Sequence, residues 1–314
     1  MSVDNSTEPL LTVVVPVYNR RDVVCRTLDT IAVQTARPLC LIVVDNASTD
    51  GTGRVLAEWK ARNRNDALDV RILHETVPGA AAARQCGLMA VTTPWVLFFD
   101  SDDLMLPGHL ENALLAIEAN SEADIIGWPV SIDELGGTVR IGGFAMRDFW
   151  WETVFHGQFA TVRWCARTQL VRRAGGWNPE VRFWDDIELG ARMLALNPKI
   201  ASAGDNPTAH VLAGEDSVTG PTCMSAFGKF ELPLMLMERS MPAGTAVWLD
   251  FKRAHFAALC FRESRSAKVR EYVHDLFRRP SRLKDRLIVR FIYHYTRFGG
   301  RGFAHLIKPF YKTR

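Results

Sequence analysis

The sequence has no cysteine pairing of any recognisable kind. Its six cysteines, Cys25, Cys40, Cys86, Cys165, Cys223 and Cys260, are scattered over 314 residues without a C-x-x-C pair. That excludes a zinc ribbon or finger and fits isolated thiols in a reducing compartment. No apolar run approaches the roughly 20 residues of a membrane span; Trp95–Phe99 is typical of the longest. Residues 1–9 are polar and acidic rather than basic and then apolar, so no secretory leader is visible. The expectation is a cytoplasmic protein. Also missing are a G-x-G-x-x-G after the first apolar run and a G-x-x-x-x-G-K-[ST] anywhere, which leaves a dinucleotide fold and a P-loop ATPase unsupported. The 22 glycines and 15 prolines follow no period, so the chain is not fibrous.

What is present suits a globular chain. With 47% hydrophobic and 23% charged residues it can bury a large core. The net charge of +3 hides an asymmetry: Arg262–Arg314 holds 15 Lys/Arg against 4 Asp/Glu, or +11, leaving −8 on the rest. An acidic body thus carries a basic tail.

Along the body, short apolar runs alternate with helical spacing. Strands are expected at Leu10–Val15, ended by Pro16, and at Leu39–Val44, Asp69–Leu73 and Trp95–Phe99. Helices are expected at Asp22–Val33, Ser48–Asn63 and Ala80–Ala90. The fold class is therefore α/β, a mostly parallel sheet with helices on both faces, in which ligands gather at the carboxyl ends of the strands. Pro16, Tyr18, Asn19, Asp45 and Asp100 lie at those ends. Residues 128–184 are less regular and hold six of the nine tryptophans, and the chain becomes helical after Gly220.

Asp100-Ser101-Asp102-Asp103 follows the fourth strand directly. Carboxylates this close repel one another unless a cation neutralises them, and Mg²⁺ or Mn²⁺ with oxygen ligands suits the set. A helix N-cap would use one of the three. Asp45, beside Asn46, suits either a hydrogen bond from a nucleobase or ribose, or the turn before the next helix.

Four blocks now stand in order: Val-Val-Val-Pro-Val-Tyr-Asn at 13–19, Val-Val-Asp-Asn-Ala-Ser-Thr-Asp-Gly-Thr at 43–52, Pro-Gly-Ala-Ala-Ala-Ala-Arg-Gln at 78–85 and Phe-Phe-Asp-Ser-Asp-Asp at 98–103. Together they resemble the family 2 glycosyltransferases with the GT-A fold, over about 100 residues and more weakly to about Gly220. The resemblance implies that Pro16, Tyr18, Asn19 and Ser101 border the nucleotide, that Asp45 contacts the base, usually uracil, and that Arg84 sits near base and ribose. Asp100 and Asp102 resemble the two acids of the D-x-D signature, towards ribose and metal, and Asp103 is an additional acid. Asp185 and Asp186, in Trp-Asp-Asp-Ile-Glu-Leu after Gly-Gly-Trp-Asn-Pro, resemble the family's Glu-Asp motif, with Asp186 in the position of the base and Asp185 replacing the Glu. An inverting transfer needs one such carboxylate to take the acceptor's hydroxyl proton. His210, followed by Glu215-Asp216-Ser217-Val218-Thr219, resembles a segment that closes over the diphosphate and sometimes supplies a further metal ligand.

The expected function is metal-dependent, inverting transfer of a sugar from a nucleotide-sugar, in the UDP class, to a saccharide or lipid-linked hydroxyl acceptor, in surface-glycan or lipid-linked saccharide assembly. Residues 8–220 would form the catalytic domain and 221–314 a helical, basic extension. No Gln-x-x-Arg-Trp follows Asp186, so a single addition is expected rather than processive synthesis. Rival readings are a different donor base, donor hydrolysis, or a degenerate nucleotide-binding or membrane-recruited protein. Phe149, Trp150, Trp151 and Trp164 suit either sugar stacking or core packing. Around Arg282–Phe298, Arg282, Arg286 and Arg290 recur at helical spacing beside Leu283, Leu287, Ile288, Phe291, Ile292 and Tyr295, which suits either an anionic membrane surface or packing on the body. Nucleic acid is disfavoured by the acidic body and the lack of a recognition motif.

Overall fold

The computed structural model describes residues 8–63, 65–134, 137–212 and 223–311. The first 98 residues follow the expected alternation: β1 (Leu11–Val17), α1 (Val24–Ala32), β2 (Leu39–Asp45), α2 (Thr52–Arg62), β3 (Leu68–His74), α3 (Ala80–Ala90) and β4 (Trp95–Phe98). The aromatic stretch resolves into β5 (Leu104–Met105), α4 (His109–Ala119), β6 (Ile125–Gly127), β7 (Val130–Asp133), β8 (Val139–Gly142), α5 (Phe149–His156), β9 (Trp164–Arg167), α6 (Thr168–Arg173), α7 (Asp185–Leu194), β10 (Ile200–Ser202) and β11 (Ala209–Val211). Helices α8 (Glu231–Ser240), α9 (Val247–Ser264), α10 (Ala267–Leu276), α11 (Leu283–Arg297) and α12 (Phe303–Ile307) follow.

Seven strands form one sheet in the order β10-β6-β9-β4-β1-β2-β3, in which only β9 runs against the others. All seven residues of β1 are buried because both faces are covered. Val13, Val15 and Val17 pack with Leu28 and Ile31 of α1, Trp59 of α2 and Leu110 of α4. Val14, on the other face, joins Ile42, Val44, Phe98 and α3 residues Ala81, Ala83 and Leu88. The remaining four strands form a second sheet in the order β5-β11-β7-β8. A third core unites α5 and α7, through Val154, Ile187 and Ala191, with the carboxyl-terminal helices.

The first strand does not end at Pro16, as the sequence pattern suggests. Pro16 and Val17 pair with Val44 and Asp45 of β2. Val17 O accepts from Asn46 N, so Pro16, one residue back, turns its missing N–H towards β4, whose pairing has stopped at Phe98. The proline therefore sacrifices no ladder bond.

Gly87 lets α3 settle onto the sheet: a Cβ there would lie 2.4 Å from Val14 Cγ1 and 3.3 Å from Val44 Cγ2. Gly87→Ala should therefore destabilise the protein by about 1–3 kcal/mol through overpacking, read as a lower urea midpoint. An unchanged midpoint would show that α3 lifts off the sheet without penalty.

Candidate active site

The carboxyl ends of β1 and β4, with the segment leading into α3 and the start of α7, enclose a cleft of about 820 Å³. Pro16, Tyr18, Asn19, Arg84, Asp100, Ser101, Asp102, Asp103, Asp185 and Asp186 all line it. Most of the residues expected at the site are thus brought together, although they lie up to 170 positions apart in the chain.

The loops are held by side-chain to backbone bonds. Asn19, at φ 49°, takes a left-handed conformation that asparagine tolerates. Its Oδ1 accepts from Thr49 N at 2.8 Å, and its own N–H donates to Ser48 Oγ at 3.0 Å, so the loops after β1 and β2 are tied together. Asn46 Nδ2 donates to Glu75 O (3.0 Å) and Val77 O (2.7 Å), while its Oδ1 accepts from Gly79 N at 2.7 Å. This clamp sets the entry into α3, whose first residues line the cleft and turn the positive end of the helix dipole towards it. Gly79, at φ +124°, makes the turn, and a Cβ there would lie 2.6 Å from Arg182 Nη1. Ser101 fixes the acidic loop, its carbonyl accepting from Thr27 Oγ1 at 3.0 Å.

Arg84 joins the two acidic groups. Its Nη2 donates to Asp100 Oδ1 and its Nη1 to Asp185 Oδ2, each at 2.7 Å, and the guanidinium lies 4.8 Å from the Trp177 ring centre. Burial works against its charge, but Asp185 and Asp100 outweigh burial and bind its proton more firmly than usual. Asp102 pairs with Arg20 at 3.2 Å. Trp184, at φ 55°, turns the chain so that α7 begins with Asp185 and Asp186 facing the cleft. Asp186 accepts from Ile187 N at 2.7 Å and Thr161 N at 3.2 Å.

These acids carry more negative charge than their partners offset. Burial, then the charge of Asp185, pushes the Asp186 carboxyl up to about 6. Burial, then Asp100 and Asp102, pushes Asp103 up to about 8, although its Oδ1 accepts from Leu212 N at 3.0 Å. Asp102 and Asp185 are raised as well, mainly by burial. Among the described residues no three acidic, histidine or cysteine side chains form a metal cage. Oxygen donors with surplus negative charge nevertheless fit a hard divalent ion that completes its shell with water and phosphate oxygens. Asp102 and Asp100 would hold it.

Two expected residues stand elsewhere. Asp45 is buried next to cleft-lining Asn46, its Oδ1 accepting from Ser48 N at 3.1 Å and its Oδ2 lying 3.7 Å from His74 Nδ1. It shapes the turn after β2 and does not line the cleft. His210 does not line it either: its Nδ1 meets Ser131 Oγ at 2.6 Å and its Nε2 lies 3.0 Å from Asp133 Oδ1. The parallel pairing of β11 with β7 places both partners beside the ring, so each ring nitrogen has a polar neighbour on β7. Glu215–Thr219 lies outside the described residues. Of the aromatics, Trp151 and Trp164 are core residues, and Phe149 and Trp150 pack against the cores; Tyr18, Phe183 and Trp184 line the cleft.

Sequence reasoning missed Arg20, Asn46, Thr161, Arg182 and Lys252. Arg20 follows the Tyr-Asn pair and Asn46 follows Asp45, which were usable signals; Thr161 and Lys252 arrive only through tertiary packing. Lys252 Nζ, from α9, lies 4.5 Å from the Trp184 ring centre. Burial lowers its ammonium to about 8, against the pull of Asp186.

Residues 12–165 match the sequence model of glycosyl transferase family 2. The glycosyltransferase GlyA of Streptococcus pneumoniae is 34% identical over 130 residues, which are 40% of this chain and 18% of that protein. The chain spans between 18% and 42% of the length of the curated relatives GlyA, GlyG of S. pneumoniae and an uncharacterized glycosyltransferase of Haemophilus influenzae. Residues 1–349 of S. aureus TarS, solved in complex with UDP-GlcNAc, superpose with a TM-score of 0.67 at 17% identity, covering 97% of this chain and 93% of that one. This last likeness is one of fold: the α/β architecture with a mostly parallel sheet flanked by helices is the GT-A architecture.

Because Asp103 holds its proton to about pH 8 when folded, while an ordinary carboxyl ionises near 4, the folded state binds more protons between those values. Stability owed to this group therefore falls as pH rises from about 4 to about 8. Asp103→Asn, which keeps the oxygen that accepts from Leu212, should raise the thermal midpoint of metal-free protein by several degrees at pH 8 and leave it nearly unchanged at pH 4. Equal shifts at both pH values would dismiss this electrostatic origin.

Proposed function

The chain belongs to glycosyl transferase family 2 through residues 12–165, and on that premise we propose a metal-dependent, inverting glycosyltransferase that moves a sugar from a UDP-class donor to a hydroxyl acceptor. The observation that carries this reading is Arg84 bridging Asp100 and Asp185, because it puts an acidic, oxygen-rich cation site and a second pair of carboxylates on one cleft. The donor class is supported by the fold shared with TarS, whose structures hold UDP and UDP-GlcNAc. In this reading residues 8–220 are the catalytic body and 221–314 a helical, basic extension.

Pro16, Tyr18, Asn19, Arg84, Asp100 and Ser101 border the nucleotide. Mn²⁺ or Mg²⁺ held by Asp102 and Asp100 would supply positive charge against the departing diphosphate. Arg20, Arg182 and the amino-terminal end of α3 add positive potential on the same cleft. Asp186 accepts the proton of the acceptor hydroxyl as that oxygen attacks the anomeric carbon; the new C–O bond forms while the bond to the diphosphate oxygen breaks, inverting the carbon. The two backbone N–H donors on Asp186 hold its carboxylate in place through the transfer. Its raised proton affinity makes it a better base than a solvent-exposed aspartate while leaving it ionised at neutral pH. Asp185, held by Arg84, acts on the field around Asp186 and not on the proton. The acceptor is a saccharide or lipid-linked alcohol, glycosylated once, in glycan assembly on the cytoplasmic side.

The deciding experiment is calorimetric titration of UDP, GDP, CMP and dTDP, with and without Mn²⁺, into wild type and Asp102→Ala. Mn²⁺-dependent binding of UDP that Asp102→Ala abolishes is the expected result; no binding of any nucleotide would overturn the transferase reading. Asp186→Asn should retain UDP binding and lose transfer by about 10²–10⁴-fold. In wild type kcat/KM should rise with pH through about 6 to a plateau, as the base loses its proton, and the variant should lack that rise. Full activity in Asp186→Asn would assign the base elsewhere.

A further inference from the structure

Helix α11 has two apolar faces. Val289, Ile292 and Tyr293 are buried in the third core. On the opposite side Leu283, Leu287 and Phe291, spaced i, i+4 and i+8, are 71%, 55% and 46% exposed. At 100° per residue these three fall within one quadrant, and Phe298, 81% exposed, falls in the same quadrant just past the helix end. Lys284 Nζ donates to Phe310 O at 3.1 Å, which brings exposed Phe310 beside the first turn of α11.

The exposed ionisable side chains of α11 and its flanks nearest this face are basic, with His294 falling between Leu283 and Leu287 in the same quadrant. Lys284 and Arg290 flank it on the helix, each about 60° from its centre, and Arg282 and Arg301 are exposed just before and just after the helix. The one carboxylate of α11, Asp285, is buried and accepts from the Tyr311 hydroxyl. A helix that buries one apolar face has no folding reason to present a second one to water.

We propose that this face docks on an anionic lipid bilayer, with Leu283, Leu287, Phe291 and Phe298 entering the headgroup boundary and the flanking arginines and lysines meeting lipid phosphates. Charge complementarity selects this occupant: a second copy would bring two segments of +11 together, whereas an anionic leaflet attracts them. Among the described residues no helix is long and apolar enough to cross a membrane. This docking is independent of the catalytic assignment.

The test is co-sedimentation of the full chain with phosphatidylcholine vesicles, with and without phosphatidylglycerol. Wild type should bind only the anionic vesicles. Leu287→Glu/Phe291→Glu and Arg282→Glu/Arg290→Glu, all at exposed positions, should each weaken binding on the order of tenfold or more while keeping the wild-type circular dichroism spectrum and UDP affinity. Absence of wild-type binding would overturn the proposal. So would loss in the charge-reversed variant alone, which would mean adsorption by net charge without use of the apolar face. Sedimentation equilibrium showing a dimer that Leu287→Glu/Phe291→Glu dissociates, with no vesicle binding, would give the face to a second copy instead.

Discussion

The guanidinium of Arg84 sits in the interior with a carboxylate on each side, Asp100 from the end of β4 and Asp185 from the start of α7. Such a group tolerates little displacement, since stranding one member of a buried ion pair costs about 3–5 kcal/mol. The rest of the site is arranged around that constraint. α3, which carries Arg84, is brought close by Gly87 and entered through the Asn46 clamp; α7 is turned into place by the left-handed Trp184. The ion pairs thus join the first half of the chain to the second at the point where donor and acceptor would meet.

Around this pair the charges are deliberately out of balance. Arg84 and Arg20 satisfy some oxygens of the acidic loop, yet Asp102, Asp103, Asp185 and Asp186 all hold protons more tightly than free carboxyls. Burial is the largest cause in each, followed by a neighbouring acid except at Asp185, where Arg84 counteracts. A cleft in that condition stores affinity for positive charge, which sets it apart from an acidic loop that merely caps a helix.

Much of the fold was legible because its signals are local. β1, β2 and β4 are short runs rich in β-branched or aromatic residues and largely buried on both faces, and a polar residue, Asn19, Asp45 or Asp100, stands at or within two residues of each carboxyl end. Asp100–Asp103 follows β4 directly, so it needed no tertiary knowledge to place. Arg84 was marked by its block, but its partnership with Asp185, 101 residues away, was not. The surroundings of His210 and Asp45 were hidden for the same reason. The pairing of β11 with β7 brings Ser131 and Asp133 to His210, and Ser48 N donates to Asp45 in the turn after β2, neighbours that no local pattern announces. The four-stranded sheet escaped notice because its members have two to four residues each, too few to show a period.

The family match stops at residue 165, within β9, whereas Asp185 and Asp186 lie beyond it on a helix whose rear packs into the third core with α8 and α9. The carboxyl-terminal helices are therefore no interchangeable module. Exchanging them between relatives would replace the backing of α7, and with it the Lys252 contact to Trp184, so the start of α7 and the outer surface of this segment would change as one unit.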